Sequence, residues 1–162
     1  MPSHDEPHDD DRNETFTERM DRNWNELLQE LRVTQTGTQI LTGFLFTIPF
    51  QQRFADLDAY QKDLYLVLVV LAVLATALIV APVSLHRVLF RRRLKPQLVA
   101  AADVFARAGL VVLALVLSGG AMLLFDVVST REIGWLVGGV SLAVLAAAWW
   151  LVPRLIARSS RS

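Results

Sequence analysis

Residues Glu26 to Phe50 read ELLQELRVTQTGTQILTGFLFTIPF. The run opens with Glu26, Glu30 and Arg32 and then carries no charge. It stays half polar all the same, through Thr34, Gln35, Thr36, Thr38, Gln39, Thr42 and Thr47. Continued to Gln52, the uncharged part matches the roughly 20 residues of helix that a hydrocarbon core requires. It is the first of four segments expected to cross a membrane. At about 100° per residue, Thr34, Gln35, Thr38, Gln39, Thr42 and Pro49 fall within an arc of about 140°. Glutamine facing lipid is costly unless bonded, so Gln35 and Gln39 are expected to face other helices or a wet cavity. The stripe is either a polar pathway or a set of interhelical hydrogen bonds, each worth about 1 kcal/mol or less. Pro49 lacks an N–H and frees the carbonyl one turn back, at Leu45.

Upstream, Met20, Trp24, Leu27, Leu28 and Leu31 make one apolar face, opposite Arg19, Arg22, Asn23, Glu26 and Glu30. Thr17 suits the N-cap, and Glu18 and Asp21 suit the first turns. This pattern fits an amphipathic helix over 15–32 lying on a membrane surface, or one that binds a partner. Residues 1–14, MPSHDEPHDDDRNE, are acidic and nearly free of apolar side chains, so a disordered tail is expected. They also lack the basic start and apolar core of a signal peptide.

Downstream the chain is much greasier. It is 53% hydrophobic overall, with mean hydropathy +0.38, which belongs to membrane proteins rather than soluble domains. Spans are expected at about 33–53, 63–85, 97–127 and 132–156, followed by a basic tail over 157–162. The fold expected is therefore an all-α integral membrane bundle of four transmembrane helices, with an N-terminal amphipathic interfacial helix.

Net charge is zero, but ten of the sixteen acids lie in the first thirty residues. The bases gather at Arg87 to Lys95 and at Arg154, Arg158 and Arg161. Basic loops stay on the cytoplasmic side, so both termini are expected there. Arginine-rich, lysine-poor usage suggests a GC-rich bacterial gene, hence a bacterial plasma membrane, and not a nucleic-acid partner.

On that topology Glu26, Glu30, Arg32, His86, Arg87, Asp103 and Arg107 share the inner side. They form either a proton-passing cluster or a set of helix anchors that fix orientation. Asp103 and Arg107, at i and i+4, are placed to pair. At the outer end Asp126 is expected to meet Arg53. Gly134 and Gly138 form a GxxxG pair that permits close helix contact, within one chain or between two. Leu71–Pro82 and Leu142–Pro153 match at an offset of 71. That is the mark of two repeated hairpins, or of composition shared by two Ala/Leu/Val-rich helices.

There is no cysteine, P-loop, zinc motif, nucleophile elbow or helix-borne histidine pair, so no enzyme and no cofactor is expected. The four expected midpoints, near Thr42, Leu74, Val116 and Leu142, are uncharged, whereas ion-coupled carriers generally hold an ionisable group there.

The run NELLQELRVTQTGTQILTGFLFTIPF, the stretch APVSLHRVLFRR and the FDVV after Leu124 resemble a family of small bacterial four-span membrane proteins of unknown function. Its members are often named sodium:proton antiporter. The resemblance covers about Asn25 to Val128. It implies membership of that family, and the name implies transport. Two functions are thus expected as alternatives. One is proton or monovalent-cation transport. The other is a non-transporting scaffold or regulatory subunit that binds a membrane partner through the N-terminal helix. The lipid bilayer is a partner in either case, and a homo-oligomer is a candidate.

Overall fold

The computed structural model describes residues 16–89 and 95–159, and they are helical almost throughout. The acidic tail, the Arg91–Arg93 run and the last three residues lie outside the described residues. Helix α1 runs Phe16–Thr47 and ends in two short 3-10 turns, Ile48–Phe50 and Gln52–Phe54. Helix α2 is Ala59–Leu89, α3 is Lys95–Val128 and α4 is Arg131–Ala146. A π turn, Ala147–Leu151, joins α4 to α5, Val152–Ser159.

Three helices are long and apolar enough to cross a membrane: Ala59–Pro82, Ala101–Val128 and Arg131–Leu155. Helix α1 has the length, but the threonines and glutamines between Val33 and Thr47 lower its hydropathy below theirs. It also passes unbroken through Arg32 and Val33, where a surface helix and a span were expected to meet. No proline or glycine stands at that junction. The threonine hydroxyls beyond it fold back onto the helix's own carbonyls and leave its backbone ladder intact.

The helices form a row rather than a closed bundle. Helix α2 packs most extensively on α3, α3 on α4, and α1 on α2 with a lesser contact to α3. No extensive contact joins α4 to α1 or α2 among the described residues. The core lies between the first three helices, around Leu45, Tyr65, Leu68, Ala72, Val116 and Leu123. In the span containing α4 few residues are buried, Gly134 and Gly138 among them.

Along α3 and α4 the approach is close. A Cβ on Gly134 would stand 2.8 Å from the Met122 carbonyl oxygen and 3.1 Å from the Asp126 nitrogen. The GxxxG pair therefore serves contact within one chain, with Gly134 and Gly138 both buried against α3.

The two proline-ended stretches differ in their surroundings. Ala72, Ala75, Ile79 and Pro82 are buried, whereas Ala143 and Pro153, aligned with Ala72 and Pro82, are exposed. Pro82 also sits inside continuous α-helix, while Pro153 follows the π turn. A proline ring collides with the carbonyl four residues before it, here Trp149, and a widened turn relieves that collision.

Candidate functional site

The polar stripe of α1 is consumed mostly by its own helix. Thr36 Oγ1 donates to Arg32 O at 3.0 Å, Thr38 Oγ1 to Thr34 O at 2.8 Å and Thr42 Oγ1 to Thr38 O at 2.8 Å. Thr38 is buried at 1% exposure, and one interhelical hydroxyl contact joins Thr42 and Thr76 at 3.5 Å. Thr34 and Gln35 are half-buried, and Gln39 is exposed. The stripe thus divides. Thr34, Thr38 and Thr42 turn toward the neighbouring helices, while Arg32, Thr36, Gln39 and Gly43 all stand exposed on another face.

At the end of α1, Pro49 leaves the Leu45 carbonyl without its helical donor. The buried Tyr65 hydroxyl supplies one from α2, at 2.9 Å. Phe54 meets the Tyr65 ring edge-on, with centroids 5.2 Å apart. A buried tyrosine needs a partner for its hydroxyl, so the two deficits satisfy each other. The freed carbonyl was legible in the sequence, and its donor was not.

The densest polar cluster joins the starts of α2 and α4 to the end of α3. Asp58 and Gln61 form a reciprocal cap: the Gln61 N–H donates to Asp58 Oδ1 at 2.8 Å, and the Asp58 N–H donates to Gln61 Oε1 at 3.1 Å. Thr130 caps α4 by accepting from the Ile133 N–H at 3.4 Å. These caps place Arg131 so that its guanidinium bonds Asp58, stands 3.6 Å from Asp126 Oδ2 and lies 4.4 Å over the Tyr60 ring. Trp135 flanks Tyr60 at 6.5 Å between centroids. The Gln61 N–H, and after it Arg131, hold the Asp58 carboxyl below its ordinary range.

Asp126 therefore pairs with Arg131 rather than Arg53. Arg131 follows it by five residues across the tight α3–α4 connection, whereas Arg53 projects from the connector after α1. Asp126 is buried, and its Oδ2 has no hydrogen-bond partner, as is true of Ser118 Oγ two turns earlier on α3. Asp58, Tyr60, Arg131 and Trp135 were not singled out from sequence. The Asp-x-x-Gln cap of Asp58–Gln61 was the signal that could have found the cluster.

At the opposite end of α3, Asp103 and Arg107 pair twice at 2.9 Å, with side chains 48% and 73% exposed. Glu26 and Arg32 are exposed. The side chains of Glu30, His86 and Arg87 lie outside the described residues; of the other four, Asp103 and Arg107 are joined to each other. Among the described residues no group of three or more His, Cys, Asp or Glu could hold a metal ion.

A family model described as a family of unknown function, DUF6328, matches residues 13–153, and the chain belongs to that family. No curated protein and no solved structure matches it.

Proposed function

We propose that this protein works in the membrane by helix association, as a non-transporting scaffold assembled through α1. In this reading α1 crosses the bilayer as a fourth span. Arg32, Thr36, Gln39 and Gly43 then form a seam about 60° wide along its exposed side. The observation that carries the proposal is Gln39, an amide left exposed on the uncharged stretch of α1 beyond Arg32, where lipid gives it no partner. A glutamine both donates and accepts, so two copies related by a two-fold axis can bond each other there. Gly43, one turn on, allows close approach. The inward-facing hydroxyls bond within α1, which argues against a wet path through one chain.

The test uses single cysteines, since the chain has none of its own. In native membranes a cysteine at Gln39 should form disulfide dimers much faster than one at Val33, on the adjoining face. Equal rates would sink the proposal. Crosslinks from Gln39 only to another protein would recast the chain as a regulatory subunit.

A bacterial plasma membrane with both termini cytoplasmic goes with this reading, supported by the basic residues around Arg87–Lys95 and Arg154. Reporter fusions decide the crossing number. Two cytoplasmic termini mean four crossings, and opposite sides mean three.

A second reading, proton or monovalent-cation transport, draws on Asp126, a buried carboxylate with an oxygen lacking a hydrogen bond. Proteoliposomes loaded with a pH-sensitive dye should then show cation-driven flux that Asp126→Asn abolishes. Flux equal to empty liposomes removes this reading.

A further inference from the structure

We infer that the hollow at the Pro49 end of the molecule binds an anionic phospholipid, one acyl chain inside and the phosphate on Arg53. A cavity of about 220 Å³ lies between the end of α1, the connector, α2 and α3. Its walls include Leu45, Ile48, Phe54, Leu68, Leu123 and Val127, with Gln51 and Arg53 the polar residues at its margin. An apolar cavity of about 150 Å³ suffices to take up benzene. Left empty, this larger one forfeits dispersion contacts along every wall. The apolar spans set it in a medium of acyl chains, which fixes what can fill it.

Charge selects the lipid. Arg131 occupies both Asp58 and Asp126, and among the described residues Arg53 has no carboxylate within ion-pair distance. A guanidinium with its fork unused matches phosphate oxygens in pairs. Asp56, exposed three residues on, opposes an anion and sets a limit on affinity. Gly120 also lines the hollow, and a Cβ built on it meets nothing within 4 Å. A larger side chain there would occupy the acyl chain's place without striking the protein.

The experiment takes the full chain in a neutral detergent and adds phosphatidylglycerol or phosphatidylcholine. Binding is read by native mass spectrometry and thermal unfolding. Phosphatidylglycerol should be retained at one per chain and raise Tm more than phosphatidylcholine does. Arg53→Gln should weaken phosphatidylglycerol about tenfold and phosphatidylcholine less, because the choline ammonium already offsets that lipid's phosphate charge. Gly120→Leu should abolish retention of both lipids, with a lipid-free Tm at or above that of the parent. Asp56→Asn should tighten phosphatidylglycerol. Equal stabilisation by the two lipids overturns the proposal, as does Gly120→Leu retaining phosphatidylglycerol. Inorganic phosphate raising Tm as far as phosphatidylglycerol does would also overturn it, because the chain would then contribute nothing.

Discussion

The α1–α2 contact and the α3–α4 contact join neighbouring helices by opposite means. Between α3 and α4 the backbones nearly touch, because Gly134 and Gly138 face Met122 and Asp126, and Arg131 closes the end electrostatically. Between α1 and α2 the contact is looser and hollow at one end, and its main polar bond is Tyr65 to the Leu45 carbonyl. Close backbones leave little freedom to reposition. Helix α1, held by apolar side chains such as Leu45 and by few polar bonds, meets its neighbour with more room between backbones. The difference assigns rigidity to the second pair and adaptability to the first.

The contrast breaks most sharply at Gly134. Gly134→Leu drives a side chain into backbone atoms that cannot yield, and should cost about 3 kcal/mol, read by unfolding in detergent. Next comes Tyr65→Phe, which leaves a buried carbonyl unsatisfied at about 2 kcal/mol. In a Pro49→Ala background the loss should fall below about 1 kcal/mol, because residue 49 regains an N–H. An undiminished loss would mean that the hydroxyl is not answering the proline.

Arg131→Gln should cost about 1 kcal/mol, kept small because the guanidinium is half exposed and screened. Added salt should shrink that difference. A smaller effect belongs to Asp58. Its folded pKa is depressed, so its contribution is present above the unfolded value of about 3.9 and is lost as pH falls through the folded value. Asp58→Asn should flatten the fall in thermal stability over that acidic range and change little at neutral pH. Least of all, Thr38→Val should shift stability by no more than about 0.5 kcal/mol, since its hydroxyl bonds only its own helix. A larger change would place Thr38 on a polar route.

Local chemistry was largely readable from sequence. Of the four spans expected from sequence, three are helices long and apolar enough to cross a membrane; Pro49 announced an orphan carbonyl, and Asp103 with Arg107 announced an ion pair. Relations between distant segments were not. Whether a threonine bonds across helices or back to its own carbonyl depends on rotamer and neighbour, and the spacing of Thr34, Thr38 and Thr42 suits both. Asp126 had two arginines to choose from, and loop geometry rather than charge decided for Arg131. Nor did the order of hydrophobic runs reveal that α4 packs along α3 and meets α2 just at its start, through Arg131 and Trp135.

The π turn at Ala147–Leu151 has a consequence for how the end of the chain is aligned with anything else. A π turn behaves as a single residue inserted without a loop, so every position beyond it is rotated by about 100°. Letters that match across Leu142–Pro153 and Leu71–Pro82 therefore stop marking equivalent directions once the slip is passed. Excising one alanine there would restore regular helix and turn Arg154 and Arg158 together toward a different side of the molecule.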